Sequence, residues 1–389
     1  MRSHRQVALA AISALLMLCA AAPASAASVG SRTTRWVDDD GKAGPSSCGG
    51  SRSASTKIQS AINKSDRNDV VIVCPGSYTG LIEISGARDG LTVRGYSKWT
   101  AVVKPPASLV DGPLVWMQNV SSVTLQGLVL QFPSTGCRTH VADLYGVWAR
   151  NVDGLRVIGN RLRTSGAATL GDCGYDDGIR VVSSTGVRVS NNTVRDFQSD
   201  GISFEDASRG TIDGNSIQFY HTDAGASDDG DQGIRIVDGS RAVVEDNSIR
   251  SHSGSGRPHL EIGIVVDDGS GTSEIRGNDV AYTETGIGVL GSRAQVISNS
   301  VTGTNARRGI HLLDGTGSEV VSNRIRSYDI GIEVESSTGN TLRKNDASGN
   351  VTQGCVDTTS GDGTAGTGNT WTSNIGTPDS APVEICPAA

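Results

Sequence analysis

The chain has 389 residues, a formal net charge of −7 and an aromatic content of only 4%. An acidic chain without basic runs lacks the clustered lysine and arginine on which nucleic-acid affinity rests, so nucleic acid is excluded as the expected partner. Beyond the first 26 residues no apolar stretch approaches the roughly 20 residues of a membrane span, so none is predicted there.

The N-terminal segment has the pattern of a secretory signal peptide. Arg2 and Arg5 precede an apolar run from Val7 to Ala22, and Ala24-Ser25-Ala26 is a small-residue cleavage pattern. Residues 1–26 are therefore predicted to be removed. We expect the mature protein to be soluble, secreted and extracellular.

The six cysteines that follow the signal peptide fall into couples that are close in sequence. An even number in an exported chain indicates disulfides, and six cysteines allow about 15 pairings. The local pairing is favoured because each bond would pin an irregular segment to its neighbours: Cys48–Cys74, Cys137–Cys173 and Cys355–Cys386.

Two phrases repeat along most of the chain. Asparagines recur every 21 to 32 residues inside alternating apolar and polar residues, at Asn160, Asn192, Asn215, Asn247, Asn278, Asn299, Asn323 and Asn345. A Gly-Ile phrase keeps step with them, with its glycine at Gly178, Gly201, Gly233, Gly263, Gly286, Gly309 and Gly331. Alternation predicts half-buried strands, and a sustained period near 23 residues predicts a solenoid with three short strands in each coil.

The asparagine column is interpreted as structural. Stacked coils place the asparagines above one another, so their side-chain amides can bond along the stack. Asparagine also tolerates the left-handed backbone that tight turns demand.

These repeats resemble the secreted right-handed parallel β-helix proteins of the pectin-lyase-like superfamily. Ile58 to Ile62 and Val70 to Tyr78 are similar to the short helix, first strand and Pro-Gly-x-Tyr turn that open such domains. The resemblance implies an all-β, single-stranded parallel β-helix of about ten to twelve coils with a short N-terminal capping helix. The predicted boundaries are a lead-in or cap over 27–50, the β-helix over 51–350 and a disulfide-pinned cap over 351–389. Because lyases, hydrolases, epimerases and non-catalytic proteins share this architecture, it does not assign a reaction.

One corner of the coil carries the insertions. Loops lengthen before Gly178, Gly233 and Gly263, whereas the segment before Gly201 stays short. Such loops form a wall beside the outer face of the Gly-Ile sheet, and function in solenoids tends to lie where insertions gather. Alternation predicts an outward column on that face: Arg180, Ser203, Arg235, Val265, Gly288, His311 and Glu333.

Arginines and carboxylates gather on this face. The predicted catalytic residues are Asp177, Arg180, Asp200, Glu205 and Arg235. Arginines hold substrate carboxylates by bidentate contacts, and the carboxylates would serve as acid, base or metal ligands.

The loops and the strand beyond them supply further candidates. Tyr175, His259, Glu261 and His311 are predicted to bind substrate, and a histidine titrates near neutral pH. Asp223, Asp228, Asp229 and Asp231 could provide oxygen ligands for calcium, although they lack the spacing of a recognised calcium loop. The alternative is a solvated acidic loop.

Individual enzyme families are matched only in part. Asp177 and Asp200, each before Gly-Ile, look similar to the carboxylates that polygalacturonases carry on successive coils, but the Gly-His-Gly and Arg-Ile-Lys phrases are absent. Arg180 or Arg235 would act as the base of a pectate lyase, yet the calcium-site spacing of those families is not recognisable. The Asp-Pro-His phrase of alginate epimerases is also absent.

The leading hypothesis is an exported lyase or hydrolase that acts on an acidic, uronate-type polysaccharide in a groove above the Gly-Ile sheet. The rival is a non-catalytic extracellular β-helix that binds cell-surface glycan or acts as a scaffold. Sparse aromatic residues favour the rival, because glycan clefts usually offer rings for sugars to stack on. A monomer is expected, and calcium is the one cofactor considered. Convergence of Arg180, Glu205 and Arg235 would favour the groove, and their dispersal would favour the scaffold.

Overall fold

The computed structural model describes residues 32–44, 48–109, 111–133, 144–165, 175–219, 231–251, 260–267 and 269–388. Within these ranges the regular elements are almost all short parallel strands, three to a coil. The expected all-β parallel β-helix is confirmed. The predicted signal peptide and the predicted Cys137–Cys173 bond lie outside the described residues.

One sheet contains the strand that precedes the asparagine turn in each coil. Its thirteen described strands stack in chain order with parallel pairing, slightly more than the expected number of coils. Their bounds are Thr34–Val37, Val70–Val73, Thr92–Gly95, Thr124–Gln126, Arg156–Ile158, Val187–Ser190, Arg209–Asp213, Arg241–Glu245, Ser273–Arg276, Ala294–Ile297, Glu319–Val321, Thr341–Arg343 and Thr370–Thr372.

The other two strands of each coil form two rows of a second sheet. The row after the asparagine turn comprises Gly76–Thr79, Ala101–Lys104, Val129–Pro133, Arg161–Ser165, Thr193–Arg195, Ser216–Phe219, Ser248–Ser251, Asp279–Ala281, Asp346–Ala347 and Ile375–Gly376. The next row, called here the Gly-Ile row, comprises Ile82–Ser85, Gly112–Ser121, Leu144–Asp153, Asp177–Val182, Asp200–Glu205, Gln232–Ile236, Ile262–Val266, Thr285–Leu290, Gln353–Asp357 and Ser380–Ala381. Ser300–Leu313 and Arg324–Glu335 run continuously through both rows.

Small elements lie toward the ends of the solenoid. The predicted short helix is present as Ile58–Asn63, and it buries Ile58, Ala61 and Ile62 because apolar residues at three-and-four spacing share one face. Lys42–Ala43 and Arg52–Ser53 form an antiparallel pair. Two 3₁₀ turns follow at Thr364–Gly366 and Val383–Ile385. No helix of the described ranges is long and apolar enough to cross a membrane.

The coil pairing continues past the predicted limits of 51–350. Thr34–Val37 pairs with Val70–Val73, and Thr370–Thr372 pairs with Thr341–Arg343. One disulfide lies toward each end of the solenoid. Cys48 is bonded to Cys74 and Cys355 to Cys386, as predicted. Disulfides persist in oxidising compartments, so these bonds fit an extracellular or periplasmic protein.

The asparagine column is a hydrogen-bond ladder inside the coil. Asn215 is representative: its Oδ1 accepts from the backbone N and the Nδ2 of Asn192, and its Nδ2 donates to Val189 O and to Asn247 Oδ1. The ladder reaches one step beyond the predicted set, since Asn345 donates to Asn374. Buried amides with all partners met stabilise the turn.

The left-handed backbone of this turn is at a different position from the expected one. Each ladder asparagine from Asn160 to Asn345 follows a residue with positive φ, namely Gly159, Asn191, Gly214, Asp246, Gly277, Ser298, Ser322 and Lys344. The prediction that the ladder asparagines themselves adopt this conformation is wrong. Their side-chain hydrogen bonds, and not backbone tolerance, account for asparagine in the column.

A steric requirement explains the glycine of the Gly-Ile phrase. A Cβ on Gly178 would lie 2.4 Å from the carbonyl O of Gly201 and 2.4 Å from Cγ1 of Val194, inside the contact limit of any side chain. A Cβ on Gly146 would likewise lie 2.4 Å from Gly178 O. Gly146 therefore occupies the same column, although valine and not isoleucine follows it.

Candidate functional site

The predicted outward column is confirmed by the strand register. Successive pairings join its members from coil to coil in the predicted order: Arg180, Ser203, Arg235, Val265, Gly288, His311 and Glu333. The column therefore follows the solenoid axis on the outer face of the Gly-Ile row.

The five predicted catalytic residues converge into one charged cluster: Asp177, Arg180, Asp200, Glu205 and Arg235. Glu205 Oε2 accepts from Nη2 and Nε of Arg180 at 2.8 and 3.2 Å. Asp177 Oδ2 lies 3.8 Å from Arg180 Nε. Arg235 Nη1 lies 3.8 Å from both Asp200 Oδ2 and Glu205 Oε1. One oxygen from each carboxyl group lies within 4.8 Å of the other two.

The charged cluster is layered by exposure. The side chains of Arg180 and Arg235 are 27% and 32% exposed, whereas those of Asp200 and Glu205 are only 4% and 10% exposed. Ser203, between the arginines in the column, is fully buried. Among the described residues its Oγ has no hydrogen-bond partner, and neither does Asp200 Oδ1. The two guanidinium groups are therefore partly exposed, whereas the carboxyl groups they contact are buried, and Asp200 has an oxygen without a partner among the described residues.

Burial controls the protonation of the two aspartates. It raises the pKa of Asp177 to about 7, with Arg180 opposing and Glu205 adding to the rise. Burial also raises the pKa of Asp200 well above its ordinary value, and the neighbouring Asp177 carboxylate adds to this effect. Charge balance agrees, because two guanidinium groups neutralise two carboxylates and leave the third favoured as an acid. Burial therefore favours the protonated form of this aspartate pair.

This raised pKa predicts a pH-dependent gain in stability for Asp177→Asn. A carboxyl whose folded pKa exceeds its unfolded value stabilises most below about pH 4, and that contribution declines as pH rises toward about 7. From pH 4.5 to pH 8, the difference in unfolding free energy between Asp177→Asn and wild type should move in favour of the variant. The expected movement is about 2–4 kcal/mol, measured by urea unfolding at both pH values. A difference that stays constant across this range would contradict the raised pKa.

Arg180 is held as a cation. Burial alone would lower its pKa, but the hydrogen bond and charge of Glu205, together with the charge of Asp177, raise the pKa above its ordinary value. A guanidinium in this state suits anion binding and is unsuited to abstracting a proton.

An aromatic ledge, formed by Trp116, Tyr145 and Trp148, adjoins the charged cluster. The outward column continues from Arg180 to Trp148 and then Trp116 on the two preceding coils. Ring centroids of Trp148 lie 4.8 Å from Trp116 and 4.9 Å from Tyr145. Arg180 Cζ lies 5.2 Å from the Trp148 ring and 5.3 Å from the Tyr145 ring, and Arg180 Nη1 donates to Tyr145 Oη at 2.9 Å.

The ledge contradicts the expectation that few rings lie near the patch, and that expectation is wrong. A signal was available: Gly146 precedes Gly178 by 32 residues, the interval that also separates Asn160 from Asn192. Aligning those glycines places Trp148 directly before Arg180 in the column.

Among the predicted substrate-binding residues, Tyr175 requires a correction. Its side chain is fully buried beside Phe132, and its hydroxyl donates to Arg195 O, so it faces the core and not the groove. Glu261 is exposed at the corner before the Gly-Ile row. His259 lies outside the described residues.

Of the four predicted calcium ligands, Asp231 alone lies within the described residues. This residue is 9% exposed, and its backbone carbonyl accepts from the backbone N of Glu261 at 3.0 Å. Asp223, Asp228 and Asp229 lie outside the described residues, so calcium binding there stays a prediction.

His311 belongs to a second cluster on the same face. Its Nε2 lies 3.0 Å from Glu335 Oε2, and Arg308 forms ion pairs with Glu333 and Glu335. Burial, assisted by the charge of Arg308, lowers the pKa of His311 and favours its neutral form. In the column Val265 and Gly288 separate His311 from Arg235, so the structure does not place it with the charged cluster.

Two family models match successive parts of the chain. A model described as a right-handed β-helix region matches residues 113–258, and one described as the periplasmic copper-binding protein NosD matches residues 259–378. No curated protein matches the sequence significantly.

Solved structures of similar fold include three enzymes. The A-module of a mannuronan C-5 epimerase from Azotobacter vinelandii has a TM-score of 0.52 and 13% identity, over 81% of this chain and 90% of that one. An exopolygalacturonase from Thermotoga maritima has a TM-score of 0.54 and 11% identity, over 75% of this chain and 82% of that one. The catalytic unit of an alpha-1,3-glucanase from Streptomyces thermodiastaticus has a TM-score of 0.52 and 15% identity, over 81% of this chain and 64% of that one. Likeness at such low identity concerns the fold, and the first family model and these structures agree that the chain has the fold of a right-handed parallel β-helix.

Proposed function

We propose that this protein is an exported hydrolase of an acidic, uronate-containing polysaccharide, with the charged cluster as its active site. The observation that carries the proposal is the convergence of three carboxyl groups with two partly exposed arginines, an arrangement in which burial raises the pKa of both aspartates. The names of two structural neighbours, a mannuronan C-5 epimerase and an exopolygalacturonase, are those of enzymes of uronate polymers.

Substrate binding is assigned to the solvent-facing layer. Arg180 and Arg235 stand two coils apart in the same column, about 10 Å at the usual strand spacing. Their guanidinium groups would bind uronate carboxylates of a chain that lies along the solenoid axis.

Glycosidic cleavage requires an acid and a second carboxylate. Asp200, whose Oδ1 is buried and unpartnered among the described residues, would donate its proton to a glycosidic oxygen that reaches it, as the bond to the anomeric carbon breaks. Glu205 would attack that carbon, and water would then release the sugar while Asp200 takes a proton from the water. Carboxyl oxygens within 4.8 Å are closer than the roughly 6.5–9.5 Å of inverting enzymes, so retention of configuration is expected.

The hydrolase is preferred to the lyase because of Arg180. A lyase of this type would need a neutral arginine to remove a proton, whereas Glu205 holds the pKa of Arg180 above its ordinary value. The aspartate pair, in contrast, already offers the protonated acid that hydrolysis uses.

The test is incubation with polygalacturonate, alginate and a neutral glucan, with and without a chelator. New reducing ends should form on a polyuronate, without unsaturated products and without loss of rate in the chelator. Unsaturated products would identify a lyase and contradict the proposed reaction. Polymer binding without either product would favour the non-catalytic scaffold.

Calcium is proposed only for the acidic corner near Asp231, where the other predicted ligands lie outside the described residues. Calorimetric titration of the protein with calcium tests this, and absence of binding at millimolar calcium would contradict it.

Copper does not fit the donors of the segment matched by the NosD model. That segment contains His259 and His311 but no methionine, and its cysteine, Cys355, is bonded to Cys386. His311 bonds to Glu335, which also contacts the Arg308 guanidinium, so a metal ion would be bound beside an existing cation. Soft or imidazole-rich sites are the ones that copper favours.

A further inference from the structure

We propose that the aromatic ledge is a sugar-stacking subsite for the same glycan chain, on the N-terminal side of the charged cluster. The inference rests on the proposed function in taking the ligand to be a glycan. It assigns to Trp116 and Trp148 the binding of pyranose rings by their apolar faces, with the buried Tyr145 packed against Trp148 as support.

Continuity with the charged cluster supports one extended groove. Trp116, Trp148 and Arg180 occupy consecutive coils of the same outward column. Coils stack at about 4.8 Å, so Trp116 lies about 10 Å from Arg180 along the axis. A chain whose carboxylate binds Arg180 and which continues toward the N-terminal coils would therefore pass over both indole rings.

The chemistry of the ledge fits a sugar ring. Trp116 and Trp148 are half-buried and meet edge to face, with an interplanar angle of 75°, so they form a stepped surface and not one flat stack. The C–H face of a pyranose is apolar and slightly positive, which suits the negative face of an indole.

Arg180 joins the two parts of the groove. Its guanidinium lies against the rings of Tyr145 and Trp148 while it donates to Glu205. The ledge thereby helps to fix the orientation of the cation that would bind the substrate carboxylate. A uronate at Arg180 followed by a stacked sugar on the ledge is the arrangement that these contacts favour.

The test is binding of polygalacturonate and alginate fragments of increasing length, measured by calorimetry in the Asp200→Asn background so that ligand is not consumed. Trp116→Ala should weaken the affinity for the longest fragments by about tenfold, since a buried tryptophan anchor commonly contributes that much. Trp116→Phe, which keeps a ring, should stay within about twofold. Trp99→Phe is the control outside the groove, because Trp99 packs between Lys98 and Arg161 and lies in the turn between the strands Thr92–Gly95 and Ala101–Lys104.

The outcomes separate the subsite from the reaction. Equal affinity of Trp116→Ala and its background for every fragment would overturn the subsite, whatever turnover the wild type shows. If Trp116→Ala weakens binding but the wild type shows no turnover, the subsite is supported and the hydrolase is overturned. Failure of the background to bind any fragment would overturn both.

Discussion

Replacing Asp200 with asparagine is expected to lower kcat on a polyuronate by about a thousandfold, with KM changed by less than about threefold. Asparagine preserves the size of the side chain and its place beside Arg235, but it cannot deliver a proton to the glycosidic oxygen. The loss therefore falls on the chemical step. Steady-state kinetics by reducing-end assay at pH 6, below the pKa of about 7 held by Asp177, measures it.

Asp213→Asn is the matched control for this change. Asp213 also pairs with an arginine, Arg188, at 3.0 Å, but it lies on the other sheet, so its replacement should leave kcat unaltered. Wild-type kcat/KM should fall as pH rises through the raised pKa of Asp200, because the acid then loses its proton. A folded Asp200→Asn protein that retains half of the wild-type rate would remove Asp200 from the mechanism.

The same burial that makes the acid also destabilises the fold. Two aspartates and Glu205 lie buried within one cluster, and the pKa of Asp177 near 7 means that ionising it opposes folding. Two partly exposed arginines compensate in part. A purely structural network would have no reason to keep more carboxyl groups than cations, and proteins retain such destabilising arrangements mainly at functional sites.

Strand periodicity was enough to predict the outward column and much of the charged cluster from the sequence. Because side chains alternate along a strand, knowing that Ile179 and Ile202 face the core was enough to place Arg180 and Ser203 outward, and the register confirms this. The convergence of Glu205 with Arg180 follows from parallel stacking of adjacent coils. These inferences need only local pattern and the repeat length.

Alternation fails where strands turn corners. Tyr175 stands just before the strand Asp177–Val182, at a corner where the chain enters the coil interior, and it packs against Phe132. The repeat phrase also changes in the earlier coils, where Val147 replaces isoleucine, so Trp116 and Trp148 escaped the pattern. Corner geometry is a tertiary property, which one sequence does not reveal.

Replacing Asn215 with alanine is expected to lower the free energy of unfolding by about 4 kcal/mol. The change removes the acceptor for both amide groups of Asn192 and the donor to Val189 O and Asn247 Oδ1, all of them buried. Each group left unpaired costs about 1–3 kcal/mol, partly recovered by relaxation. Unfolding in guanidinium chloride, followed by circular dichroism, measures the loss.

Two further variants identify the cause. Asn215→Asp keeps the shape but turns the donor toward Val189 O and Asn247 Oδ1 into a second acceptor, so it should destabilise at least as much as alanine. Asn191→Gly replaces an exposed asparagine with φ of 54°, a conformation that glycine adopts freely, so it should change stability by less than about 1 kcal/mol. If Asn215→Asp were as stable as wild type, or Asn191→Gly as damaging as Asn215→Ala, the ladder would owe its stability to shape or backbone conformation and not to the amide hydrogen bonds.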